Sequence, residues 1–198
     1  MLVLIKNLCD NCIMCRLGRK RPEVKNRTLD PHVFSNMCLS RYMVYGQNPG
    51  FNECIEDEPF VGQAGDTFTN EVGKHGFERS DFYITNILHC YTPGNRSPLP
   101  EELRACKPIV LMELRVIKPK LIITLGKFAF NTFCPGRNYK DSLGDICKTE
   151  MNGLKYSIFP IYHPSGLNLS SKERKKKFQD DISTLCKLVK ALERRDNA

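Results

Sequence analysis

"KPKLIITLG", residues 118–126, holds five apolar or β-branched residues in a row between a proline and a glycine. A run this short without polar alternation reads as a strand covered on both faces. Three further runs share its character and its ending in a Gly, Asn or Pro signal: "RYMVYG" (41–46), "FYITNI" (82–87) and "YSIFPIYHP" (156–164). Helical patterns lie between them. Residues 66–75 stop at Gly76, and residues 100–117 carry Leu103, Cys106, Val110, Leu114 and Ile117 at helical steps. Pro108 inside that pattern predicts a kink or a restart. "KFAFNTF" (127–133) reads as a short helix. A last helix over about 173–194 carries Phe178, Ile182, Leu185, Val189 and Leu192 on one stripe, with Ser170 and Glu173 as its capping box. Strand and helix alternate, so the expected class is α/β with a parallel sheet in a single domain. "MLVLI" at residues 1–5 reads as a first strand or an ordered tail, and residues 135–153 as an irregular excursion.

In parallel α/β sheets ligands bind beyond the carboxyl ends of the strands. Three motifs fall there: "GQNPG" (46–50), Asn86, and "HPSG" (163–166). Two adjacent amides, Gln47 and Asn48, suit a pocket better than a core.

The 198 residues carry 30 Lys and Arg against 22 Asp and Glu, a formal charge of +8. That excess favours a polyanionic partner such as nucleic acid. The basic segments "RLGRKR" (16–21) and "SKERKKK" (171–177), the latter with Lys175, Lys176 and Lys177, are the candidate phosphate contacts. No apolar run approaches the length of a membrane span. "MLVLI" lacks the basic leader and cleavage site of a signal peptide, so an intracellular protein is expected.

The sequence has ten cysteines. Cys9, Cys12 and Cys15 form a C-x2-C-x2-C series, and Cys90 and Cys106 follow far downstream. Four thiolates drawn from these suit either zinc or an iron–sulfur cluster. Cys38, Cys54, Cys134, Cys147 and Cys186 read as packed thiols.

"CIMCRL" (12–17), "GQNPG" (46–50), "PFVGQAG" (59–65), "YITNILHC" (83–90), "NRSP" (95–98), the helix start leading to Cys106, "KPKLIITLG" (118–126) and "HPSG" (163–166) occur in this order. Together they resemble the iron–sulfur-containing uracil-DNA glycosylases of the family-4 type, over roughly residues 9–170. The resemblance implies a three-layer α/β/α fold around a four-strand parallel sheet. It implies a [4Fe–4S] cluster on Cys12, Cys15, Cys90 and Cys106, with Cys9 as the spare thiol, and zinc as the alternative metal. It implies a monomer that flips uracil out of DNA and hydrolyses the bond between base and sugar.

On the same footing Phe60 would stack on the base. Asn86 would read it, since an amide matches the N3–H donor and O4 acceptor of uracil. His163 would donate to the departing uracil O2, with the Gln47 N–H facing the same oxygen. Asn48 would hold the water, and Leu167 would wedge into the base stack. The chain departs from the family-4 "GEAPG" pattern, having Gln47 where a carboxylate is usual. Its "GxNPG" is similar to that of the mismatch-specific and single-strand-selective uracil glycosylases. Gly50, without a side chain, leaves room for a 5-substituted uracil. The alternatives are a silent DNA-binding or replication-accessory module of the same fold, or a glycosylase for a modified base.

Overall fold

The runs of β-branched and aromatic residues become the centre of a five-stranded sheet. The computed structural model describes residues 1–19, 23–24, 27–28 and 32–196. After a two-residue ribbon, β1 (Glu23–Val24) with β2 (Arg27–Thr28), the main sheet is built from β3 (Tyr42–Gly46), β4 (Tyr83–Asn86), β5 (Leu121–Leu125), β6 (Cys147–Met151) and β7 (Leu154–Ile161). Its order is β4-β3-β5-β7-β6. The first four are parallel, and β6 pairs antiparallel with β7.

Alternate side chains leave the strands on opposite faces. Met43, Tyr45, Tyr83, Ile122 and Ile158 meet α1 (Leu2–Asp10), α5 (Pro100–Ile117) and α6 (Gly126–Phe133). Tyr42, Val44, Ile123, Phe159 and Ile161 meet α4 (Gln63–Gly73) and α8 (Lys172–Asp196). The three-layer α/β/α class is as expected.

Several local expectations change. Residues 2–10 form a helix, not a strand, because Leu2, Ile5 and Cys9 fall on one buried face. The supposed excursion over 135–153 contains α7 (Tyr139–Ser142) and the edge strand β6, so the sheet has five strands rather than four. Helix α5 runs through Pro108 in one piece. Pro108 and Arg104 both lie on its exposed face, where water can satisfy the carbonyl that the proline leaves free. Ser171 rather than Ser170 caps α8, its Oγ accepting from the Arg174 N–H at 3.2 Å. Pro160 is tolerated in β7 because β6 pairs only as far as Ile158; beyond it the Pro160 carbonyl accepts from Gly144 N–H.

Candidate active site and cysteine cavity

Parallel pairing brings the strand ends to one side of the sheet. Gly46 is the register partner of Asn86, and Leu125 that of Ile161, two residues before His163. Gly46 matters through its missing side chain. A Cβ there would stand 2.4 Å from Asn86 Oδ1 and 2.4 Å from Phe60 Cζ, so even alanine is too large. The Phe60 ring therefore lies directly beside the Asn86 amide. On its other side it faces His163, with ring centroids 6.1 Å apart. Phe60 adopts φ 57°, left-handed backbone that costs a bulky residue roughly 1–2 kcal/mol.

Asn86 is 1% exposed, yet neither Nδ2 nor Oδ1 has a hydrogen-bond partner. Buried amides are almost always paired, so a two-sided vacancy marks a place for something else to bind.

Above this pair opens a cleft of about 560 Å³, lined among others by Gln47, Asn48, Asn95, His163, Ser165 and Asn168. Phe60 and Asn86 are not among its lining residues; His163, which does line it, faces the Phe60 ring. The Asn48 amide is held in one sense. Its Nδ2 donates to Pro49 O at 2.9 Å, Thr92 Oγ1 at 3.3 Å and Asn95 Oδ1 at 2.9 Å, while its Oδ1 accepts from Gln47 Nε2 at 2.9 Å. Three acceptors around one atom can only face the nitrogen, so the flip is fixed by the network. Oδ1 keeps a second lone pair. Asn95 and Thr92 were not singled out in the sequence, although Asn95 stands in "NRSP". Their loop is anchored by Arg96, which donates to both oxygens of fully buried Glu102 at 2.9 and 2.6 Å.

His163 packs against Gly126, whose φ is 88° and where a Cβ would lie 3.1 Å from that of His163. Burial pushes its pKa down to about 4, which leaves the ring neutral at pH 7. The room expected at Gly50 is taken up by Glu53, whose Oε2 lies 2.5 Å from where a Cβ would be. Its Oε1 accepts from Gly62 N–H at 3.2 Å. Leu167 has 86% of its surface exposed and lies in sequence between Ser165 and Asn168, which line the cleft.

Of the lysines, Lys175 and Lys176 are exposed. Lys177 is not a free phosphate contact: its Nζ donates to Asp181 Oδ1 at 2.5 Å and to Leu143 O at 2.9 Å, tying α8 to the loop before β6. Lys20 and Arg21 of the first basic segment lie outside the described residues.

A second, small cavity lies under the N-terminal segment. It is lined by Cys12, Cys15, Cys90 and Cys106, and by Cys9, which is fully buried. Among the described residues no group of three or more His, Cys, Asp or Glu side chains is arranged to hold a metal ion. The cavity is nonetheless lined by five thiols, with His32 and His89 beside them and no carboxylate among them, a thiol-rich set that suits an iron–sulfur cluster. Burial, reinforced by the neighbouring thiols, pushes the Cys90 thiol far up, so a metal bound there must displace its proton. Buried His89 braces Cys106. Its backbone N–H and Nδ1 lie 3.3 and 3.2 Å from the sulfur, and its Nε2 lies 3.2 Å from Glu113. Glu113 in turn accepts from Tyr83 at 2.7 Å.

Residues 33–186 match the family described as the uracil DNA glycosylase superfamily. The type-4 uracil-DNA glycosylase of Archaeoglobus fulgidus is 34% identical over 72% of this chain and 74% of its own length. That of Saccharolobus solfataricus is 37% identical over 62% of this chain and 60% of its own, and that of Thermotoga maritima 33% over 71% and 74%.

Proposed function

Because this chain belongs to the uracil DNA glycosylase superfamily, we propose that a uracil flipped out of DNA enters by the cleft and lies against the Phe60 ring with its edge at Asn86, and that Asn86 is its reader. The chain is a DNA N-glycosylase, a hydrolase that frees uracil. The observation that carries the reading is the unpaired Asn86 amide. Uracil presents an N3–H for Oδ1 and an O4 for Nδ2; cytosine presents the opposite pair. Truncating the amide leaves the base's own polar groups unpaired, at about 1–3 kcal/mol. Asn86→Ala is therefore expected to lose tenfold or more in single-turnover uracil release, and Asn86→Asp to gain some action on cytosine. Wild-type release by Asn86→Ala would sink the assignment. Oligonucleotides carrying uracil, 5-hydroxymethyluracil or thymine, treated with alkali after reaction, show how far Glu53 narrows the site to unsubstituted uracil.

The chemistry needs no carboxylate base. Phe60 stacks on the base and His163 donates to O2 as the uracil leaves with negative charge, joined by the Gln47 N–H. Asn48 presents Oδ1 to a water that adds to the electron-poor sugar carbon, and the proton this water sheds goes to the departed uracil anion. Leu167 fills the vacated stack.

Lys175 and Lys176 meet backbone phosphates. Replacing both with Gln is expected to weaken binding to all DNA sequences alike and to flatten its salt dependence. An unchanged salt slope would leave them a solvated face.

Cys12, Cys15, Cys90 and Cys106, which line the second cavity, would hold a [4Fe–4S] cluster, whose role there would be to tie the N-terminal segment to the fold. Anaerobically purified protein is expected to be brown, with iron and acid-labile sulfide. Cys12→Ala is expected to lose both along with much of the stability, because cluster binding and folding are linked. Cys9→Ala keeps them. Colourless protein with one zinc per chain overturns the cluster.

A further inference from the structure

Nothing so far explains what keeps Phe60 in left-handed backbone. Gly65 leaves space on one side, since a Cβ there would lie 1.7 Å from the Phe60 carbonyl oxygen. On the other side stands Arg79. Its Nη1 donates to Phe60 O at 3.2 Å, its Nη2 to Pro59 O, and its Nε to Glu58 Oε1 at 2.9 Å. One planar guanidinium thus grips three successive residues, which a flexible ammonium cannot do. Arg79 is itself held. It begins a short 3-10 turn, Arg79–Asp81, closed by reciprocal bonds between Glu78 and Asp81, and that turn leads directly into β4. The strand that ends in Asn86 therefore begins beside the group that fixes the Phe60 backbone.

We propose that Arg79 is a positioning residue for uracil release: by clamping the Pro59 and Phe60 carbonyls it holds the Phe60 ring where a flat pyrimidine with its edge at Asn86 can lie against it. It touches neither the cleft nor the substrate, and it acts through Phe60, so the inference rests on the stacking role given to that ring.

The test compares Arg79→Met, Arg79→Lys, Phe60→Ala and the double variant Phe60→Ala/Arg79→Met. Each is measured for single-turnover uracil release, for inhibition by free uracil and for melting temperature. Misplacing a binding surface by about 1 Å costs on the order of 10- to 100-fold. Arg79→Met is expected to fall by that factor in release and to bind free uracil more weakly, with Arg79→Lys restoring only part. In the Phe60→Ala background the same change is expected to matter by less than about twofold, because residues acting through one contact are not additive. Wild-type release by Arg79→Met overturns the proposal. So does a loss that multiplies in full with that of Phe60→Ala, since Arg79 would then act on the fold at large. Full release by Phe60→Ala overturns instead the role of Phe60. Should Arg79→Met fail to fold, Glu58→Gln loosens one arm of the clamp. It is expected to show a smaller loss with the same non-additivity, and additivity there counts against the proposal as well.

Discussion

Asn48→Ala is expected to slow uracil release by ~10²–10⁴-fold, a loss as large as that of a positioned acid–base group, although Asn48 only places the water and moves no proton. The loss should sit in the chemical step, with DNA affinity unchanged, because Asn48 faces the cleft floor rather than the basic surface. Its fixed orientation also shapes the reverse experiment. Asn48→Asp would supply a general base, but it places an oxygen opposite Pro49 O, Thr92 Oγ1 and Asn95 Oδ1, three acceptors. Only Asn95 can adapt fully, by turning its own amide. Asn48→Asp is therefore expected to introduce an acidic limb into the pH–rate profile that the wild type lacks, at a pKa above the usual carboxylate range. A wild-type acidic limb that disappears in Glu53→Gln would instead assign the base to Glu53 and overturn the role of Asn48.

His163→Ala is expected to cost on the order of 100-fold or more, as loss of a positioned donor to an oxyanion does. Two pH measurements accompany it. The ring titrates at about 4 in the folded protein, lowered by burial, and near 6.5 when unfolded. Wild-type release should thus show no inflection near pH 6.5. Between these two values the unfolded chain binds the extra proton and the folded chain does not. His163 consequently lowers stability progressively as pH falls through that window, and has no such effect above it. Removing the ring is expected to flatten that part of the stability profile. An inflection near pH 6.5 in wild-type release that His163→Ala abolishes would show a solvated, charged histidine and count against a neutral donor.

The central strands were legible because four covered strands must be apolar on both faces, and each ends in a residue that cannot continue it. What failed were elements with weak or mixed signals. In β6, Cys147, Thr149 and Met151 alternate with exposed charges, so an edge strand passed for a loop. In "MLVLI" continuous apolarity hid a helical face that only Leu2, Ile5 and Cys9 complete. Within the site, the strand-end positions of Gln47, Asn48, Asn86 and His163 could be read, since topology alone gathers them. The sequence could not show that Arg79 reaches back some 20 residues to Pro59 and Phe60. Nor was Asn95 legible as the partner of Asn48, because such partners are chosen by tertiary geometry. Lys177 is different: Asp181 at i+4 was visible, and the pair could have been separated from the free lysines by spacing alone.

The strand order also sets a timetable for synthesis. β3 lies between β4 and β5, and its pairing with β5 joins residues about 80 apart in sequence. During translation the first half of the chain can form only the β3–β4 pair of the main sheet, a two-stranded fragment too small to be stable. The sheet acquires its centre when residues 121–125 emerge, and until then the edge of β3 that pairs with β5 has no partner. Such long-range parallel pairing is slow and leaves the nascent chain prone to aggregation. Substitutions that weaken β5 should therefore lower the yield of folded protein more than they lower the melting temperature of the molecules that do fold.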